Sequence, residues 1–342
     1  MDIFFHHSYN LDLLNLLNIV GGDSPYNEVY PQIYAEFGHP LSTETKEILH
    51  QLAIALGTST ISAPIAFALS IIPQFEKAVI LDLLLDHEGY HAAIEQFEPR
   101  LMPQKDQLLF LFQVLAPVLQ ELENLGFRDY WLSDCRPLLE DRLDKLDPIL
   151  LDSPLSNNLH QMIESGILPE EIHVYLCALN GGKGVRLSQY RTIVDISFSD
   201  DRIFDFCLHE IFHLALSNSG IENILALLST DTFLQLAHEK SKSLTGIETI
   251  ESYLQENIKE AYISYLLYIS GLLPDPLGFL QAYKQGAFVL SVIIIDHLIW
   301  NGMEGESMLS HLKLWLETNP VGNSMELYKQ ALDRAGKIPG EQ

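Results

Sequence analysis

The segment Leu208-His209-Glu210-Ile211-Phe212-His213-Leu214 places two histidines four residues apart around a glutamate, inside a run that reads as helix. Residues four apart share one helical face about one turn from each other, so two imidazoles can converge on a single ion while Glu210 projects beside them. This is half of a zinc site. A zinc ion in a hydrolase takes three protein ligands and keeps a position for water, whose pKa falls towards about 7, and a neighbouring carboxylate takes that water's proton. His209 and His213 are therefore the expected ligands, Zn2+ the expected cofactor and Glu210 the expected general base. The rest of the chain has to supply a third ligand.

Composition narrows the choice of partner. The chain has 342 residues, 47% of them hydrophobic, enough for one large domain or two modest ones with a substantial core. A net charge of −26 argues against binding nucleic acid or an anionic membrane, because phosphate binding needs clustered Lys and Arg. Cys135, Cys177 and Cys207 are odd in number and widely spaced, which suits three thiols in a reducing compartment. The start, Met1-Asp2-Ile3-Phe4-Phe5-His6-His7, has no basic n-region, so the expected location is cytoplasmic. The most apolar long stretch, residues 54–72, carries Gly57 and Pro64 and reads as buried helices, with no membrane span.

Read in order, residues 1–165 are helical runs punctuated by Gly and Pro: 11–20, a run after the capping residues Ser42 and Thr43, then 74–97, 105–125 and 135–146. The texture changes after about residue 155. Residues 172–179 and 192–198 are β-branched and alternating, and Ser199-Asp200-Asp201 then offers an N-cap for the histidine helix. Further helices are expected over 221–243, 249–269, 276–300 and 306–317. The expected fold is α+β and mostly helical. A helical N-terminal domain, 1–165, precedes a domain, 166–342, with a small β-sheet and the HExxH helix.

The third ligand is sought on the helix 249–269, where Glu256 and Glu260 stand one turn apart on one face. Either could complete a His, His, Glu set, the other accepting a hydrogen bond from a ligand histidine. Glu260 is preferred. It lies nearer the middle of an apolar helix, where an unpaired carboxylate is costly, and Ala261 beside it permits close packing.

With these residues in view, the chain resembles the gluzincin group of zinc metallopeptidases, the thermolysin-like superfamily with HExxH on one helix and a glutamate on a later one. His209-Glu210-Ile211-Phe212-His213 matches the first motif. Glu260-Ala261-Tyr262-Ile263-Ser264-Tyr265 resembles the group's Glu-Gly-x-Ala-x-Tyr, with Ala261 in place of Gly and Ile263 in place of Ala. The resemblance covers roughly residues 170–270. It implies a zincin-like domain, hydrolysis of peptide bonds in a peptide or protein substrate, ligands His209, His213 and Glu260, and a sheet beside the active-site helix, which residues 172–198 could supply. An oxyanion donor is sought in Tyr265, which matches the group's tyrosine, or in His297, the polar interruption of an apolar helix.

Three other features compete. His87-Glu88-Gly89-Tyr90-His91 is a second HExxH, demoted by Gly89 within the helix and by the absence of a preceding strand. Asn180-Gly181-Gly182-Lys183-Gly184 reads as a turn, since it lacks the spacing and Lys-Ser/Thr ending of a phosphate loop. The alternative to an enzyme is a catalytically inactive binding or regulatory module that keeps the zincin fold.

Overall fold

The computed structural model describes residues 2–21, 25–56, 60–73, 75–163, 169–187, 190–217, 220–304 and 307–335, without the side chains of Glu210, Leu214, Ser217, Tyr283 and Lys284. The fold is mostly helical, with one four-stranded mixed sheet. The chain forms two compact units. One comprises Ile3–Pro148 with Glu171–Phe198, the other Ile149–Glu170 with Ser199–Gln342 and the first two residues.

In the first unit, α1 (Tyr9–Val20) is buried on every side, as expected of a helix whose apolar residues do not form a stripe. Three of its polar residues tie it to neighbouring segments. Asn10 Nδ2 donates to the carbonyls of Phe75 and Ala78 at 2.6 and 2.9 Å, and Asn18 exchanges hydrogen bonds with Ser62. Asp12 accepts from Trp131 Nε1 at 2.9 Å and from the backbone N–H groups of Ala178 and Leu179 at 2.9 and 3.1 Å. A carboxylate on α1 thus fixes the chain where it leaves the sheet.

The sheet comprises β1 (Asp2–His7), β2 (Glu171–Cys177), β3 (Gly184–Arg186) and β4 (Arg191–Asp195), in the order β1-β2-β4-β3. β2 and β4 pair in parallel with Tyr175 opposite Ile193, and β3 pairs antiparallel to β4. Val174 to Cys177 are all buried, the continuous apolar run of a strand covered on both faces. Between β2 and β3 the glycines at 181 and 182 take positive φ, +65° and +71°. Their N–H groups donate to Tyr30 Oη and Asp195 Oδ2, both at 2.9 Å, so the glycine loop is a turn held by side chains from outside it.

The strands of residues 171–195 thus fall in one unit with the N-terminal helices, a division that differs from the boundary expected at 165/166. The ties are physical. Besides the bonds to Asp12, Arg191 donates to the Ser70 carbonyl at 2.7 Å and Arg142 to that of Phe198 at 2.8 Å. Sequence order hid these long-range contacts.

The second unit contains α4 (Asp200–Ser217), α5 (Thr232–Thr245), α6 (Ile250–Ile269), α7 (Val289–Asn301) and α8 (Ser324–Arg334); the first unit also contains α2 (His87–Phe97) and α3 (Lys105–Asn124). The α6 helix is its centre: every residue from Asn257 to Leu267 is buried, and it packs against α4 and α7. The α7 helix starts without a side-chain cap of its own. Two residues of α6 cap it instead. Asn257 Oδ1 accepts from Ser291 N–H at 3.1 Å, and Tyr253 Oη accepts from Val289 N–H at 3.4 Å while donating to the Ala287 carbonyl at 2.7 Å. These bonds fix the rotation of α6 about its own axis.

Three runs expected as single helices are broken by their own chemistry. Asp86 caps α2 through Gly89 N–H, Asp231 caps α5 through the N–H groups of Phe233 and Leu234, and Gln285-Gly286 take left-handed φ ahead of α7. Among the described residues no single helix is long and apolar enough to cross a membrane. All three cysteines are buried free thiols.

Candidate metal centre

The α4 helix is apolar on the faces that carry Ile203, Phe204, Cys207, Leu208, Ile211 and Phe212, all buried, and turns His209 and His213 towards α6. Their rings meet edge to face with centroids 4.8 Å apart, and Phe206 lies parallel to the His209 ring. From α6, Glu256, Lys259 and Glu260 all reach His209. Spacings of three and four put them on one helical face.

His209, His213 and Glu256 offer ligand atoms that all lie within 4.8 Å of one another, a group that could hold a metal ion. Glu256 Oε1 is 3.2 Å from His213 Nε2, and Glu256 Oε2 is 3.9 Å from His209 Nε2. Glu260, expected as the third ligand, has the other role. Its Oε1 lies 3.2 Å from His209 Nδ1, and its side chain is wholly buried. A single imidazole cannot present Nδ1 to Glu260 and also bring that carboxylate to the point its Nε2 faces, so among the described residues the group that could hold an ion contains Glu256, one turn earlier.

An ionised carboxylate only accepts, so an ionised Glu260 pairs with the His209 tautomer that carries its proton on Nδ1 and its lone pair on Nε2. His209 Nε2 faces Lys259. The Nζ of Lys259, itself fully buried, lies 2.7 Å from His209 Nε2, 2.6 Å from His213 Nε2 and 2.6 Å from Glu256 Oε2. Lys259 Nζ thus lies within hydrogen-bond distance of all three.

No family model, characterised protein or solved structure matches the chain. What the site can hold therefore rests on its own chemistry. Two imidazole nitrogens and one carboxylate oxygen are a zinc-type donor set, and the Glu260 carboxylate behind His209 is the outer partner that orients a ligand histidine. The residues present fit a zinc ion in kind and number.

The other expected site residues are distributed as follows. The side chain of Glu210 lies outside the described residues. Tyr265 is buried, and burial raises its pKa against the opposing effect of the Met303 backbone. His297 interacts with Asn301, 3.1 Å from its Nδ1, and with the His311 ring, and burial pulls its pKa down. His87 has Gln113 as its neighbour at 3.3 Å, and among the described residues no group of three possible ligands includes His87 or His91. Cys207 is a buried thiol whose pKa burial drives up. A cleft of about 610 Å³ opens on Glu256, with Ile247, Ser252, Ala287 and Phe288 among its walls. Sequence reasoning passed over Lys259. The signal for it was a lysine flanked by Ile258 and Glu260 in the apolar centre of the helix.

Proposed function

We propose that this chain is a zinc metallopeptidase that hydrolyses peptide bonds. The observation that carries the reading is the convergence of His209 Nε2, His213 Nε2 and a Glu256 carboxylate oxygen, with Glu260 on the far nitrogen of His209. A bound zinc ion supplies Lewis-acid polarisation of a carbonyl and lowers the pKa of a water molecule. The chain's residues do the rest. His209, His213 and Glu256 hold the ion, Glu260 keeps His209 in the tautomer that presents Nε2, and Glu210 takes up a proton from water and passes it to the departing amine. The cleft beside Glu256 gives a polypeptide access, and its mixed lining of Ile247, Phe288 and Ser252 suits an extended chain with apolar side chains.

The test pairs metal content with turnover on a peptide library. About one zinc per chain, with hydrolysis that falls by about 10²-fold or more in Glu210→Gln while zinc is retained, is the expected result. Equal turnover in Glu210→Gln would sink the assignment of the base. A second reading, a binding or regulatory module without turnover, is favoured by the position of Lys259 Nζ among the donors. It predicts zinc-independent folding and no cleavage of any library member.

A further inference from the structure

The three donor atoms are held together by a group of the chain itself. Lys259 Nζ is 2.6–2.7 Å from His209 Nε2, His213 Nε2 and Glu256 Oε2, whereas a zinc ion bound by the same atoms sits about 2.0–2.2 Å from each. A nitrogen and a metal ion cannot share that point, since both would lie inside the same triangle of acceptors. The lysine reaches it from the same helix face as Glu256, three residues on, and nothing of its side chain is exposed to solvent. Its Nζ is within hydrogen-bond distance of the same three atoms that a metal would use.

We propose that Lys259 is an internal competitor for the metal: in the metal-free chain its Nζ holds the donors in place, and it must leave for an ion to enter. The inference rests on the metal-centre reading above. Two mutually exclusive states follow. In one, His209, His213 and Glu256 accept from Lys259; in the other, the same atoms bind the ion and Lys259 lies elsewhere. Because the competent state is only part of the population, the measured zinc affinity is reduced by that fraction. The donors are also spread by the longer N···N and N···O distances, so entry of an ion requires them to draw in by roughly half an ångström each.

The experiment measures zinc affinity by competition with a chromogenic chelator on the full-length chain, for the wild type, Lys259→Met and the double variant Lys259→Met with His213→Ala, each checked by circular dichroism. The expected result is one zinc per chain bound at least tenfold more tightly by Lys259→Met than by the wild type, and lost in the double variant. Equal or weaker binding by Lys259→Met, or no zinc bound by it, overturns the proposal. Zinc bound by Lys259→Met but not by the wild type supports the proposal while overturning the metallopeptidase reading of the natural chain. Tight and equal binding by both does the reverse. Where Lys259→Met fails to fold, the wild-type chain decides: acetylation of Lys259 by acetic anhydride, read by mass spectrometry, is expected to rise at least fivefold when zinc replaces chelator. Equal labelling in the two conditions overturns the proposal.

Discussion

Glu260 Oε1 lies 3.2 Å from His209 Nδ1, on the opposite side of the imidazole from the Nε2 that faces Glu256 and Lys259. The two glutamates of one helical face therefore do different work. On the proposed reading, replacing Glu256 by Gln removes a ligand, whereas replacing Glu260 by Gln leaves all three donors and removes only the carboxylate that orients one of them. Zinc affinity is expected to drop by about 10–100-fold in Glu260→Gln and by more in Glu256→Gln. Titration with a competing chelator checks the order. A larger loss in Glu260→Gln would restore it as the ligand.

Asn257 and Tyr253 cap α7 from a neighbouring helix, so their loss leaves first-turn N–H groups buried without acceptors. Asn257→Ala is expected to destabilise the fold by about 1–3 kcal/mol, the cost of an unsatisfied buried donor. Denaturant unfolding of the metal-free protein gives the number. A change within a few tenths of a kcal/mol would mean that the cap has another source.

Asp12 is wholly buried, and burial raises its carboxyl from the usual range to about 7, against the opposing pull of Trp131 and the Leu179 and Ala178 N–H groups. The folded pKa lies above the unfolded one, so the folded state holds the proton more tightly. This contribution to stability is full below the unfolded carboxylate range and is lost as pH rises through about 7. The stability of Asp12→Asn relative to wild type is therefore expected to rise between about pH 5 and about pH 8. Parallel thermal melts across that range check it, and a constant difference would contradict the burial effect.

Asp231 ties two elements with one carboxylate. One oxygen accepts from Phe233 and Leu234 at the start of α5, and the other from Gly322 N–H and Ser324 Oγ ahead of α8. Asp231→Ala is expected to cost about 2 kcal/mol, the upper end for loss of a helix cap, because the second oxygen's bonds go with it. Asp231→Asn, which keeps one acceptor, is expected to cost less. Burial opposes ionisation of Asp231, but the hydrogen bonds from Ser324, Gly322, Leu234 and Phe233 hold its pKa below the ordinary aspartate value. Equal losses would locate the effect in charge, and the melts should then converge only as pH falls below the ordinary aspartate range, where the folded wild-type carboxylate takes up its proton.

Much of this was legible in the sequence because it depends on local spacing. The i, i+4 relation of His209 with His213 and of Glu256 with Glu260 survives intact, and Ser42 accepts from Thr45 N–H at the start of its helix as the capping pattern implied. The roles of the two glutamates were not legible. Which of them faces Nε2 is set by the rotation of α6, and that is fixed by Tyr253 and Asn257 bonding to α7, contacts some 35 residues away in sequence. The position of Lys259 depends on the same rotation. In the sheet, residues 172–179 and 192–198 announced themselves by β-branching, whereas β1 holds a single β-branched residue, Ile3, and β3 has only three residues, too few for periodicity to register.

All the donors come from two short intervals, 209–213 and 256–260, carried by helices that touch. The constraint on inheritance is correspondingly narrow. The stretch between the intervals can lengthen or shorten at the Gly246 turn, where the backbone already leaves the helix, without moving either. A single residue inserted between Glu256 and Glu260 would swing everything after it by about 100°, parting the ligand from the carboxylate that supports its neighbour. The spacing that the candidate site requires thus lies within 209–213 and 253–260, the second interval including the Tyr253 and Asn257 bonds that set the rotation of α6.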